Sequence, residues 1–343
     1  MKYKFLIYIS YSYAFPIGEP LQEEILKRGS EVKWFSDRDE PKKHFSENGI
    51  LINKVQDAIA YQPDVVLTIT DSVAHFIPGI KVQVFHGFPA NKRKGSDQFK
   101  IRGFFDLYCT QGPSSTIPFN EKQKKHKNFE VVETGWSKLD PLFPLEPIKN
   151  EKPVVLIAST FTKQYSLALN DAVVKELGRL SKNNQWKFIA VLHPKLDNEV
   201  YRKFKAMENE NFSFCETTDL VPLFKKADVM LADTTSALIE FLIQEKPVVT
   251  FKNNMPGPYL IDVSKVPEIE IALKKAISKP AYLMKEVKKF ADYSHPYKDG
   301  KACKRVVDAC IEFLLKDKSY LKKKPLNLFR KYKMRKKLDY FKF

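Results

Sequence analysis

Two histidines follow directly on apolar runs. His86 comes after Lys81-Val82-Gln83-Val84-Phe85, and His193 after Lys187-Phe188-Ile189-Ala190-Val191-Leu192. Each is followed by Gly87 or Pro194, so both imidazoles fall at predicted strand ends, one in each half of the chain. The carboxyl edge of a parallel sheet is where ligands bind. An imidazole there serves as a base near neutral pH or as a hydrogen-bond donor to phosphate; a satisfied structural histidine is the alternative for each. His44, His75, His126 and His295 lack this setting and read as surface or packing residues. A third stretch, Asp233-Thr234-Thr235-Ser236, separates the run Val229-Met230-Leu231-Ala232 from Ala237, Leu238, Phe241 and Leu242 at helical spacing. These are capping types, with Asp233 or Thr234 as the predicted N-cap. A helix N-terminus at a sheet edge attracts anions, with plain scaffold capping as the alternative. Basic residues stand near these turns: Lys92, Arg93 and Lys94 after His86, Lys195 after His193, and Lys163 after Ser159-Thr160. Cations, hydroxyls and a helix N-terminus suit a pyrophosphate ligand, although any one lysine alone reads as solvated surface. No HxH, HExxH or Cys pair is present, so no metal site is expected and no cofactor is implied, with a divalent ion left open.

The elements that must carry these residues alternate. Phe5–Ile9 and Val32–Phe35 read as strands around a short amphipathic helix at Leu21–Arg28, with Ser10–Glu19, including Gly18, as a ligand-facing loop. It is not a GxGxxG loop, so no dinucleotide site is expected. Val55–Tyr61 is helix-like, Val65–Ile69 a buried strand with Asp71-Ser72 as the cap of the next element, and Leu107–Thr110 and Glu130–Val132 are further strands. A proline-rich polar stretch then forms a linker, before Val154–Ala158 opens a second alternating series. This predicts an α/β protein of two parallel-sheet, Rossmann-like domains facing a central cleft. The division is 1–145 as the first domain, 146–153 as linker, 154–315 as the second domain and 316–343 as a basic tail.

Composition sets the remaining bounds. The 343 residues are 43% hydrophobic and 13% aromatic, ample for globular cores. Four cysteines without CxxC spacing point to a reducing compartment. The amino terminus reads as a first strand rather than a signal peptide, and no apolar run reaches the roughly 18 residues of a membrane span. The net charge is +17, and Lys316–Phe343 holds twelve Lys and Arg against two Asp, a net +10. In this tail Lys322, Lys323, Lys324, Arg330, Lys331, Arg335, Lys336 and Lys337 alternate with Leu, Phe and Tyr. That composition suits an interfacial segment drawn to an anionic membrane; a solvated, partly disordered tail is the alternative. Nucleic acid is not expected as a partner, because no helix-turn-helix, RRM or zinc motif accompanies the charge.

Taken together, several segments resemble the CDP-glycerol glycerophosphotransferase family, the teichoic-acid primases and polymerases of GT-B fold. They are His86-Gly87 with Pro89, Gly135-Trp136 through Asp140, His193-Pro194-Lys195, Asp228 through Ser236 with Glu240, Lys246-Pro247, and Tyr297 through Arg305. The loop Ala158–Lys163 departs from the family by lacking an arginine. The resemblance implies transfer of a polyol phosphate, glycerol phosphate foremost, from a CDP-activated donor to a hydroxyl of a lipid-linked saccharide or growing polymer, with release of CMP. It implies His86 as base, with Gly87, Lys92 and Gly18 on the acceptor side. His193, Lys195, Ser159, Thr160, Lys163 and Asp233–Ser236 would hold the donor phosphates, and Glu240 a ribose hydroxyl. The implied location is the cytoplasmic face of the membrane, peripherally bound. A GT-B glycosyltransferase or epimerase-like enzyme using a nucleotide sugar is the alternative, and a non-catalytic binding protein a third reading.

Overall fold

The computed structural model describes residues 2–45, 50–88, 98–147 and 149–341. The chain forms two units, the first built on Met1–Gly87, Phe99–Pro141 and His295–Phe343, the second on Leu142–Ser294.

In the first unit the chain runs β1 (Lys4–Ile9), α1 (Phe15–Lys27), β2 (Glu31–Ser36), α2 (Asp39–Lys42), β3 (Leu51–Ile52), α3 (Val55–Ala60) and β4 (Val65–Thr68). It continues through β5 (Ile80–Gln83), β6 (Leu107–Thr110), α4 (Pro113–His126) and β7 (Glu130–Glu133). The second unit comprises β8 (Val154–Ser159), α5 (Asp171–Lys182), β9 (Lys187–Leu192), α6 (Asn198–Lys205), β10 (Phe212–Cys215) and α7 (Val221–Lys226). It closes with β11 (Val229–Ala232), α8 (Ala237–Leu242), β12 (Val248–Phe251), β13 (Ile261–Val263), α9 (Glu268–Ile277) and α10 (Ala281–Ser294). Helices α11 (Ala302–Leu315) and α12 (Leu328–Lys337) return to the first unit.

Both sheets are parallel, ordered β3-β2-β1-β4-β5-β6-β7 and β10-β9-β8-β11-β12-β13. The apolar runs are buried because helices cover both faces, as continuous Val, Ile and Leu strands require: Phe5–Ile9, Val65–Leu67 and Val229–Ala232 are all 0% exposed. Strand order reverses between β1 and β4 in one sheet and between β8 and β11 in the other. At such a reversal the flanking connections leave to opposite faces, opening a crevice at the carboxyl edge.

Three expectations change. Ser10–Glu19 is not a loop throughout: a 3₁₀ turn at Ser12–Ala14 leads straight into α1 at Phe15. Pro16 fits a first helical turn, where no backbone donor is needed. Gly18 therefore lies inside α1, where a Cβ would come 2.3 Å from the buried Trp34 ring; it is a packing residue, not an acceptor-side one.

The second unit ends at Ser294 rather than near residue 315. The apolar face of α11 (Ala302, Val306, Val307, Cys310, Phe313) is buried in the first unit against α1 and β6. Its first N–H groups, on Ala302 and Cys303, donate to the Asp140 carboxylate at 2.8 and 2.7 Å, and Arg28 pairs with Asp308 at 2.6 Å. Arg305 donates to the Thr134 carbonyl at 2.8 Å, and His295 Nε2 accepts the Trp136 N–H at 3.0 Å. The motif pieces Gly135–Asp140 and Tyr297–Arg305 thus meet, and what they do is dock α11.

The described part of the basic tail is docked on the first unit. Met334 is buried against the Tyr8 hydroxyl, Arg335 lies over the Phe76 ring at 5.0 Å, and Lys337 pairs with the buried Asp37. Lys324 pairs with Asp106 and donates to the Phe104 carbonyl, and Arg330 donates to the Arg102 carbonyl. Lys331 is half-buried, whereas Lys322, Lys323 and Lys336 are exposed.

Candidate functional site

At the second unit's reversal, the register Ala232↔Ala158 brings Asp233 beside Ser159. Asp233 is fully buried and collects donors: Ser159 Oγ at 2.6 Å, Thr160 N at 3.0 Å and Leu167 N at 3.0 Å. Its carboxylate therefore clamps the loop after β8 to the turn after β11. The Ser159 hydroxyl also accepts the Ala168 N–H at 3.2 Å, so it belongs to the clamp rather than to a ligand. Thr234 is buried as well, its hydroxyl accepting the Asn254 N–H at 3.1 Å. Neither Asp233 nor Thr234 is the N-cap: Ser236 holds that position and makes no side-chain capping bond. Since α8 spans only six residues, its dipole is small and the anion attraction expected of it is correspondingly weak. Thr235 and Ser236 are half-exposed and are the members of this turn open to a ligand. Thr160 keeps a buried hydroxyl with no hydrogen-bond partner, and Glu240 is 4% exposed, under the edge rather than on it.

Replacing Asp233 with alanine leaves the buried Thr160 and Leu167 N–H groups unpaired. Unfolding free energy from urea titration should fall by about 2–4 kcal/mol. Unchanged stability with lost nucleotide binding would instead place Asp233 on the ligand.

The neighbouring strand β9 pairs with β8 through Ser159↔Leu192 and delivers His193 to the same edge. The Lys195 backbone N–H donates to His193 Nδ1 at 3.1 Å. Nδ1 therefore presents its lone pair, and the neutral ring carries its proton on Nε2. His193 is thus a hydrogen-bond donor toward whatever faces Nε2. Phe161, which the sequence reading passed over, is 39% exposed. It lies 4.4 Å from the His193 ring, with the Lys195 ammonium 5.2 Å over its face. An exposed aromatic in the loop after a first strand was the signal available for it. Lys163, Tyr165, Ser166, Asn170 and Lys252 line a separate polar pocket of about 440 Å³ in this unit. Lys246, one of the motif residues, donates to the Phe224, Lys225 and Ala227 carbonyls and so closes the end of α7.

In the first unit His86 follows β5 at the carboxyl edge. Phe85, directly before it, has φ +61°, a conformation that costs a bulky residue energy and that gathers at functional sites. This kink leaves His86 half-exposed while Phe85 packs on Phe119 at 5.2 Å. Around His86 stand Asp71, Arg102 and Tyr13, none of which the sequence reading assigned to the site. Burial and the nearby Asp71 push the Tyr13 hydroxyl up to about 12, burial being the larger cause, so Tyr13 stays protonated. The Gly87 carbonyl accepts from Gln111 Nε2 at 3.1 Å, and the space a Cβ would fill at Gly87 is empty. Lys92 lies outside the described residues.

Two Rossmann-like parallel-sheet units of seven and six strands define a GT-B-type fold. The wall teichoic acid polymerase TagF superposes with a TM-score of 0.64 at 15% identity, over 90% of this chain and 88% of that one. The S. aureus MnaA–UDP structure gives 0.63 at 15% identity over 95% and 99%. The UDP-GlcNAc 2-epimerase of Neisseria meningitidis, bound to UDP-GlcNAc, gives 0.60 at 16% over 90% and 100%. The family model for UDP-N-acetylglucosamine 2-epimerase matches residues 149–311. No curated protein matches the chain by sequence.

Proposed function

We propose that this protein transfers a polyol phosphate, glycerol phosphate foremost, from a CDP-activated donor to a hydroxyl of a lipid-linked saccharide or growing polymer, releasing CMP. The observation that carries the reading is the pair of differently prepared histidines at two carboxyl edges. His193 is a donor by virtue of its Nδ1 bond, as growing charge on phosphoryl oxygens requires. His86 is half-exposed at the edge of the first unit, open to take a proton from an incoming alcohol. Lys195, Thr235 and Ser236 are the remaining phosphate-facing groups in this reading, and Glu240 backs the ribose. TagF, one variant of which was soaked with CDPG, supports a nucleotide-linked donor. The second reading, an epimerase or glycosyltransferase acting on a UDP-sugar, is favoured by the family-model match. Thermal shifts with CDP-glycerol, CDP-ribitol, CMP and UDP-sugars, and then assay of CMP release, separate the two. Stabilisation by UDP-sugars alone would defeat the CDP reading, and silence toward every nucleotide would favour a non-catalytic protein.

The acceptor in this reading sits in a membrane, and α12 supports a peripheral contact with its anionic cytoplasmic face. Among the described residues no helix is long and apolar enough to cross a bilayer. Yet α12 turns some of its cations inward and, apart from the buried Met334, its apolar residues outward. Leu326, Leu328, Phe329 and Tyr332 are 74%, 69%, 70% and 56% exposed, beside the exposed Lys322, Lys323 and Lys336. Bilayer insertion of such side chains is worth about 2 kcal/mol each, and each lysine near anionic lipid about 1 kcal/mol. The triple change Leu328→Ser, Phe329→Ser and Tyr332→Ser should therefore weaken co-sedimentation with phosphatidylglycerol vesicles at least about tenfold, with the melting temperature unchanged. Full sedimentation of that variant would remove α12 from the contact. Point changes are preferable to deleting the tail, which would strip Lys337 from the buried Asp37.

A further inference from the structure

We propose that Asp71 is the positioning residue of His86, fixing the imidazole tautomer that leaves Nε2 free to accept a proton. The inference rests on the reading of His86 as the base and adds the group that prepares it.

The sheet builds the pair. β4 and β5 are adjacent and parallel with Thr68 opposite Gln83, and Asp71 and His86 each lie three residues beyond that matched pair. Both leave the sheet at its carboxyl edge. Asp71 reads in the sequence as the cap of the next element, but residues 71–79 form no regular element before β5. Its carboxylate instead divides between two cations or potential cations: Oδ2 accepts from Arg102 Nη2 at 2.8 Å, and Oδ1 stands 3.9 Å from His86 Nδ1. Arg102 thereby holds the carboxylate with one oxygen turned to the imidazole. Tyr13 flanks the ring from another side at 6.0 Å between centroids, itself stacked on Tyr11 at 5.3 Å, and Tyr11 is covered by Arg38 at 4.6 Å. A carboxylate facing Nδ1 favours the Nδ1–H tautomer and stabilises the imidazolium that forms when Nε2 takes a proton. His193 is prepared in the opposite sense, its Nδ1 occupied as an acceptor.

In the reaction the acceptor hydroxyl oxygen forms a bond to the transferred phosphorus as the bond from phosphorus to the CMP oxygen breaks. The bonding pair leaves with CMP, and the hydroxyl proton passes to His86 Nε2. Asp71 itself touches no reacting atom.

The test measures CMP release by wild type, Asp71→Asn, Asp71→Glu, His86→Ala and the Asp71→Asn/His86→Ala double variant. It is joined by ¹⁵N NMR of the His86 side chain. Asp71→Asn should lower kcat by roughly 10- to 100-fold, less than for a fully buried partner, with KM for CDP-glycerol nearly unchanged. Asp71→Glu should recover part of the loss, and in the His86→Ala background Asp71→Asn should cost nothing further. Equal losses from Asp71→Asn in both backgrounds, or wild-type kcat in Asp71→Asn, overturn the proposal. Should Asp71→Asn fail to fold, Asp71→Ser carries the same comparison. Absence of CMP release from wild type with any CDP-polyol would sink the transferase reading alone. The NMR then still decides: Nδ1–H on His86 in wild type, moving to Nε2–H in Asp71→Asn, supports the positioning role, and Nε2–H in wild type refutes it.

Discussion

His86→Ala is expected to cut CMP release by about 10²- to 10⁴-fold, the range that general acid–base groups contribute, while the thermal shift produced by CDP-glycerol persists. The two readouts separate because of where the residue stands. His86 belongs to the first unit, whereas the residues assigned to the donor belong to the second. A variant that loses turnover and keeps the nucleotide response has lost the base and not the donor site. His86→Gln sharpens the comparison, since its amide can occupy the position of Nε2 and donate but cannot take a proton. It should be as inactive as alanine. Stability should change little in both, because the side chain is 47% exposed and packs mainly beside Tyr13. Turnover within a fewfold of wild type would remove His86 from the chemistry and leave the strained Phe85 turn without a functional account.

The strand ends were legible because buried parallel strands announce themselves as continuous apolar runs. Residues 227–251 read correctly as strand, turn, helix and strand, and the two histidines were placed by the runs before them. Partners at long range were not legible. Asp233 looked like a cap, since Asp before a helix usually is one. Its actual partners, Ser159, Thr160 and Leu167, are brought to it by the adjacency of β11 and β8, which only the order of the folded sheet determines. Asp71 was misread for the same reason. The tail was judged on composition, and composition is silent on direction. That Met334 would point inward and Phe329 outward depends on the contacts with Tyr8, Phe76 and Asp37.

The second large effect is expected at His193, and its side-chain chemistry discriminates the role. With Nδ1 bound to the Lys195 N–H, the Nε2–H group is the functional face. His193→Ala removes a donor aimed at developing charge, a loss of about 10²- to 10³-fold, or roughly 3–4 kcal/mol of transition-state stabilisation. Glutamine keeps an N–H near the position of Nε2, so His193→Gln should retain about a tenth or more of the turnover that alanine forfeits, a recovery of more than about 1 kcal/mol. Asparagine, whose amide matches Nδ1, should recover nothing. If His193 were instead a base, glutamine and alanine would be equally inactive, because neither accepts a proton. The glutamine substitution therefore gives opposite outcomes at the two histidines only if one is a donor and the other an acceptor: partial rescue at His193 beside none at His86. Rescue at both would make both of them donors and require another base. Rescue at neither would leave His193 without the role that its Nδ1 bond prepares.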